Sequence, residues 1–313
     1  MNLSGPTDTI TYLDRATVRA LLPDPVEQVD RLAEVYRSMA RGRAENPPKI
    51  GVHPRSDAFL HAMPAYLADG DVTALKWVGA YPGNPARGLP YISGLLVLND
   101  SDSGLPVAVM EAAELTAART AAASGVSIRH LAHPGWQRVA ILGYGEQGRA
   151  HAAMVRALNP SASIRVYGGP RVPGPLPGVE VVPDARTAVD GADVVVTAGP
   201  MAADPARRLE LSWLGERVLV VPVDFSAYVS AEVAAAADDL VTDDVAQLEH
   251  YRGLGHFAGW PRPHRSLGEA LDSRPAGDLR ISCSLGVGAA DAALADVVLQ
   301  RAESERLGIR LPR

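Results

Sequence analysis

The segment Val139-Ala140-Ile141-Leu142-Gly143-Tyr144-Gly145-Glu146-Gln147-Gly148-Arg149 constrains this chain more than any other. A short apolar run ends in glycines spaced G-x-G-x-x-G, and a helical stretch from Ala150 to Leu158 follows. A strand, a tight turn and a helix in that order are the setting a dinucleotide-binding fingerprint needs. Each glycine has its own physical task. Gly143 allows the tight turn, Gly145 lets the backbone approach a pyrophosphate, and Gly148 lets the helix pack close to the strand. The helix N-terminus, where Glu146 and Gln147 lie, offers free N–H groups and a partial positive charge to the phosphates. The alternative reading of the same residues is an ordinary βα turn.

Short, β-branched, continuously apolar runs recur around this motif: Val139–Leu142, Ile164–Tyr167, Val179–Val182, Val194–Ala198, Val218–Val223 and Leu240–Thr242. That alternation suits a parallel sheet covered by helices on both faces. The N-terminal third reads differently. Thr9–Leu13 is a candidate strand, and Val26–Ala40 an amphipathic helix with Val29, Leu32, Val35 and Met39 at helical spacing. Residues 50–111 then look like strands, with a hairpin joining Ile92–Leu98 to Pro106–Met110 through a polar turn that ends in Gly104. Leu115–Leu131 is helical and alanine-rich, residues 246–278 read as irregular, and Ala289–Arg306 as a last helix.

Bulk properties narrow the function classes. With 47% hydrophobic and 21% charged residues over 313 positions, the chain has a sizeable core and is not disordered. Lys+Arg 30 against Asp+Glu 36 gives a net charge of −6, which argues against nucleic acid as a partner. The one cysteine, Cys283, excludes an intrachain disulfide, fits a reducing cytoplasm, and sits in an apolar run as a buried, inert thiol. No apolar stretch reaches the length of a membrane span, so none is expected, and the opening residues Met-Asn-Leu-Ser-Gly-Pro give no expectation of a secretory signal. No nucleophile elbow, P-loop or paired-cysteine metal site is present, and no histidines have metal-ligand spacing.

Several residues stand out as candidates for chemistry. Asp224 follows the apolar run Val218–Val223, and ligands of open α/β sheets sit outside the carboxyl ends of strands. It is a candidate general base or amine-orienting group, or else a cap for the helix starting near Ser230. Lys76 interrupts Ala74-Leu75-Lys76-Trp77-Val78, so it either snorkels at a sheet edge or binds an anion in a pocket. Arg119 lies mid-helix among alanines and threonines; it either faces solvent or offers its guanidinium to a carboxylate or phosphate. Lys49, after Pro47-Pro48, has the same two readings. His61 is structural, or an acid/base group if it faces the cofactor. At the end of the second strand no carboxylate is present to bind ribose hydroxyls, while Arg165 and Arg171 are close in sequence, which favours NADP(H) over NAD(H).

Together these segments resemble the ornithine cyclodeaminase/μ-crystallin family. The matching text is Met63-Pro64, Lys76, Pro82-Gly83-Asn84-Pro85, Gly94 through Asp100, Gly104-x-Pro106, Val109-Met110, and the most specific block, Leu115-Thr116-Ala117-x-Arg119-Thr120-Ala121-Ala122. The resemblance implies an α/β fold: a Rossmann-type doubly wound parallel sheet over residues 118–288, plus an α+β substrate-binding and dimerisation domain over 1–117 joined by a C-terminal helix at 289–313. It implies a homodimer and a small amino or imino acid as substrate. It implies that Lys76 and Arg119 bind the substrate carboxylate with Lys49 as a third basic group, that Thr120 belongs with the cofactor-binding residues, and that Asp224 is the catalytic aspartate. Two departures matter. Cyclodeaminases carry a glutamate where this chain has His61, and their Asp-x-Pro-Gly-Lys run is replaced by Asp224-Phe225-Ser226-Ala227-Tyr228.

The expected activity is NAD(P)-dependent hydride transfer at the α-carbon of an imino or amino acid, either ketimine reduction or amino-acid or amino-dicarboxylate oxidation. Asp224, Lys76 and His61 are the expected catalytic groups. An ammonia lyase that cyclises ornithine with recycled NAD is the second reading, and a non-catalytic NADP(H)-binding protein the third.

Overall fold

The computed structural model describes residues 8–168, 176–200 and 209–313. Two compact units divide it: residues 1–119 with 287–313, and residues 120–286.

The first unit begins with β1 (Thr9–Leu13), α1 (Arg15–Leu21) and α2 (Pro25–Ala40). Asp14 and Asp24 cap the two helices by accepting backbone N–H bonds, and Pro25 fits the first helical turn, where no N–H partner is needed. Then come β2 (Ala44–Glu45), β3 (Ile50–Arg55), β4 (Ala58–Leu67), β5 (Val72–Ala80), β6 (Ile92–Asn99) and β7 (Pro106–Glu111), followed by α3 (Ala113–Leu131), along which the chain passes to the second unit. The sheet runs β16-β1-β7-β6-β5-β4-β2, with β3 also on β4; β16 (Ile309–Pro312) comes from the C-terminus. Only the β1–β7 pairing is parallel.

Helix α9 (Gly288–Glu305) lies across β4, β5 and β6 on one face of this sheet. The strand period of two then sorts residues strictly by face. On the covered side one cross-strand row reads Met63, Lys76, Leu96, Met110 and Leu13. Four of the five are buried apolar side chains, and the fifth is a lysine. On the opposite side Leu75, Trp77 and Leu95 remain 38–45% exposed.

The second unit holds β8 (Arg138–Leu142), α4 (Glu146–Leu158), β9 (Ser163–Tyr167), β10 (Glu180–Val181), α5 (Ala185–Val189), β11 (Val194–Thr197), β12 (Val218–Pro222), α6 (Ala231–Ala235), β13 (Asp239–Thr242), α7 (Val245–Gly253), β14 (Arg265–Ser266), α8 (Leu267–Leu271) and β15 (Leu279–Cys283). All its strands are parallel, in the order β10-β9-β8-β11-β12-β15-β13-β14. The chain winds outward from β8 to β10 and returns to β11 on the other side. The topological switch point of this Rossmann-type sheet therefore lies between β8 and β11, where such sheets bind ligands.

Two expectations are corrected. Residues 246–278 are not irregular throughout: α7, β14 and α8 lie there, capped by Asp244 and by a Ser266–Glu269 capping box. These elements are short, so their periodicity is too brief to read among the intervening glycines and prolines. The C-terminal helix does not reach residue 313. It stops at Glu305, Arg306 and Gly308 adopt positive φ, and the chain turns back as β16 against β1.

The fit of α9 on the sheet depends on small residues. A Cβ at Gly288 would lie 2.9 Å from the Met63 carbonyl oxygen and 3.0 Å from that of Pro64. Gly288→Ala should therefore lift the first turn of α9 and destabilise the protein by about 1–3 kcal/mol, read as a lower thermal midpoint; an unchanged midpoint would show that the helix start is not pressed on β4.

Candidate active site

The first unit gathers four of the residues picked out in the sequence on the covered side of its sheet. Lys76 is not at an edge. Strand β5 has β4 and β6 as neighbours, and the Lys76 side chain is fully buried, which removes the snorkelling reading. Its Nζ lies 2.7 Å from Oδ2 of Asp291, in the first turn of α9. Arg119 is buried too, not solvated; its Nε donates to Oδ1 of the same aspartate at 3.2 Å. Lys49 is buried as well, close enough for its charge to act on Lys76. His61 lies on the same face of β4, diagonal to Lys76 across the ladder, with its ring stacked on Phe59 at 4.0 Å.

The electrostatics follow from burial and charge count. Two cations, Lys76 and Arg119, share one carboxylate, Asp291, and the charge of Lys49 acts on Lys76 from nearby. Burial and then the Arg119 charge push the Lys76 ammonium down to about 7, with Asp291 opposing and Lys49 adding to the fall. The Lys76–Asp291 contact is a close, buried ion pair, and an ammonium has three N–H donors, more than one carboxylate oxygen occupies.

Sequence reading missed Asp291. It stands alone among alanines (Gly288-Ala289-Ala290-Asp291-Ala292-Ala293), and an acid on the buried face of an apolar helix is the signal that marks it.

In the second unit each fingerprint glycine has a visible reason. Gly143 has φ +107°, and a Cβ there would meet the Ala198 carbonyl oxygen at 2.3 Å. A Cβ at Gly148 would meet the Gly143 carbonyl oxygen at 2.1 Å, so α4 starts hard against the turn. Around Gly145, in contrast, the space is open. Gly145 is the N-cap of α4 and, having no side chain, makes no side-chain cap bond to the first turn. An open cradle over an uncapped helix N-terminus fits the pyrophosphate of a dinucleotide. Thr120 is partly buried on α3, in the same unit.

Asp224 stands after β12 and is 2% exposed. It does not cap α6, whose cap is Ser230. Its Oδ1 accepts from the Thr197 hydroxyl at 2.8 Å, and its Oδ2 from the Gly199 N–H at 3.0 Å. The corner formed by residues 197–199 thus touches Asp224 on one side and the Gly143 turn on the other. Burial pushes the Asp224 carboxyl up to about 7, against the pull of its hydrogen bonds.

Arg165 does not belong with this set. Its guanidinium pairs with Glu180 at 3.2 Å and donates to the carbonyls of Thr187 and Asp190, at the C-terminal end of α5. That helix runs back against the parallel strands, so Arg165 points towards their amino ends, away from the ligand side. Arg171 lies outside the described residues. No group of three or more His, Cys, Asp or Glu among the described residues is placed to hold a metal ion, and no described helix is long and apolar enough to cross a membrane.

Fold and site define a Rossmann-type dinucleotide-binding protein whose first unit, α+β in build, buries a cluster of cations around one carboxylate. The chain belongs to the ornithine cyclodeaminase/mu-crystallin family, whose model matches residues 15–305. It is 37% identical to the nodulation efficiency protein NfeD of Rhizobium meliloti, over 96% of this chain and 97% of that protein. It is 30% identical to a Delta(1)-pyrroline-2-carboxylate reductase of Burkholderia multivorans, over 77% of this chain and 78% of that enzyme. An archaeal alanine dehydrogenase, solved as a dimer with bound NAD, superposes with a TM-score of 0.82 at 25% identity, covering 97% of this chain and 99% of that one.

The hydrogen bond from Thr197 stabilises the charged form of Asp224. Thr197→Val should therefore raise the carboxyl further, moving the Asp224-dependent limb of the pH–rate profile up by about one unit. An unmoved limb would show that another group titrates there.

Proposed function

We propose that the protein is an NAD(P)-dependent oxidoreductase that moves a hydride at the α-carbon of an amino or imino acid. The observation that carries this reading is the buried charge imbalance around Lys76. Buried charges demand partners, and Asp291 alone leaves the cluster cationic. An α-carboxylate is the anion that every amino and imino acid brings. The relatives named as a reductase of a cyclic imino acid and as an alanine dehydrogenase support the same chemistry.

In this reading Arg119 binds the carboxylate through its guanidinium and Lys76 neutralises it, with Lys49 adding a third positive charge. Positive charge beside a C=N bond draws electron density towards the nitrogen and leaves the α-carbon open to hydride. A nicotinamide cofactor held at the α4 turn supplies or accepts that hydride. Asp224 gives a proton to the substrate nitrogen or takes one from it; a group poised near 7 is suited to that exchange. His61 is assigned to shape the surroundings of Lys76, with which it shares a face of the sheet. Cyclisation of ornithine is disfavoured, because His61 stands where cyclodeaminases carry a glutamate and Asp224 is followed by Phe225-Ser226-Ala227-Tyr228 instead of their x-Pro-Gly-Lys run. NADP(H) is favoured over NAD(H) because no carboxylate follows Tyr167 at the end of β9, while Arg171 comes soon after in the sequence.

A second copy of this chain is the partner proposed for the open face of the first sheet. Leu75, Trp77 and Leu95 share that face, and an exposed apolar patch of this kind marks an interaction surface. Trp77→Glu is expected to shift the sedimentation of the protein from dimer to monomer; a wild type that already sediments as a monomer would remove the assignment.

The activity is tested by nicotinamide absorbance. With pyrroline-2-carboxylate, piperideine-2-carboxylate, or pyruvate and an amine, the protein should consume NADPH stoichiometrically, and NADH more slowly. Lys76→Met should lower kcat/KM roughly a hundredfold or more while leaving cofactor affinity unchanged. Its thermal midpoint should not fall, because Asp291 keeps Arg119 as its partner while one of two crowded cations is removed. Ammonia release from ornithine without net change in nicotinamide would establish the cyclodeaminase reaction instead.

A further inference from the structure

Helix α9 carries Asp291 in its first turn yet lacks a cap of its own. Val287 stands at the N-cap position and has no side-chain acceptor. The first N–H groups of a helix need partners from elsewhere. One comes from far back in the sequence: Oδ1 of Asn46 accepts the N–H of Ala289 at 3.1 Å. Asn46 is followed by Pro47 and Pro48 and then by Lys49. Two prolines with fixed φ make a stiff link, so the position of Asn46 is transmitted to Lys49. Asp291 comes two residues after Ala289. One hydrogen bond therefore ties the loop bearing the third cation to the helical turn bearing the shared carboxylate.

We propose that Asn46 is a positioning residue for the carboxylate-binding cluster, holding the Lys49 loop on the first turn of α9 so that Lys49 acts together with Lys76 and Arg119. This rests on the reading of the cluster as the site for a substrate carboxylate. It goes beyond helix capping, which would serve stability alone. The charged groups around Lys76 are Arg119 from α3, Asp291 from α9 and Lys49 from this loop, with the titratable His61 beside it on the same face of β4; of these, Lys49 is the one joined to Asn46 by a short, stiff segment.

The test uses oxalate as the probe and titration calorimetry as the readout, on the full chain. Asn46→Ala should weaken oxalate binding about fivefold, the usual worth of a lost cap expressed as affinity. It should also move the alkaline fall-off of that affinity to higher pH, since a displaced Lys49 no longer helps drive the proton off Lys76. In a Lys49→Met background, Asn46→Ala should have no further effect on oxalate, because the two act as one unit. Should Asn46→Ala not fold, Asn46→Ser, with a shorter acceptor, enters the same cycle. Independent, additive effects of the two substitutions, or a lower thermal midpoint with unchanged oxalate affinity and pH dependence, would reduce Asn46 to a simple cap and overturn the proposal while leaving the carboxylate site intact. A wild-type protein that binds no oxalate would overturn the carboxylate reading itself, and the role of Asn46 with it.

Discussion

Lys76 stands in the middle of a sheet, in a row otherwise made of Met63, Leu96, Met110 and Leu13, with no exposed surface. An ammonium in such a place is costly unless it is paired, and the pairing here is incomplete by design of the surroundings: Asp291 is shared with Arg119, and Lys49 adds more positive charge. Well-packed apolar residues would serve stability better. The arrangement makes sense when the missing negative charge belongs to a ligand. Much of the first unit can be read as what is needed to hold these groups together. Strand β5 is internal, so Lys76 cannot escape to solvent. The start of α9 is built from Gly288, Ala289 and Ala290, so it approaches the sheet closely enough for Asp291 to meet the lysine.

The second unit solves a complementary problem by the same means. Burial drives Asp224 up and Lys76 down, and both arrive near 7 from opposite directions. Each change is driven by burial acting on the charged form, which raises a carboxyl and lowers an ammonium. The residues around Asp224 do double duty. Gly199 donates to its carboxylate, while the neighbouring Ala198 carbonyl lies so close to Gly143 that only glycine fits there. The proton-transfer candidate and the phosphate turn are therefore fixed by the same corner of the sheet.

The fingerprint was legible in the sequence because its physics is local. A turn, a cradle and a helix start are written within a few residues, and the parallel strands beside them are continuous apolar runs. The bearing of Lys76 was not legible. Whether a lysine in a strand snorkels or is buried depends on which strands flank it, and that is a matter of sheet order. Asp291 was hidden for the same reason: its partners, Lys76 and Arg119, lie far away along the chain. Arg165 misled because proximity in sequence to a strand end does not say which end of the sheet a long side chain faces. Its partners on α5 answer that only in three dimensions. Strand β15 was overlooked because it arrives last yet inserts between β12 and β13, after a stretch whose short helices leave little periodic signal.

The buried cations of the first unit, on this reading, await a carboxylate. That is tested most directly by counting protons when a carboxylate binds. Above neutrality the free Lys76 is largely deprotonated, and an arriving anion stabilises its charged form, so binding must draw a proton from solution. Calorimetric titration of the protein with pyruvate at about pH 8, in buffers of different ionisation enthalpy, is expected to show uptake of up to about one proton per carboxylate bound, abolished in Lys76→Met. Binding with no proton uptake, or with uptake that persists in Lys76→Met, would contradict the account.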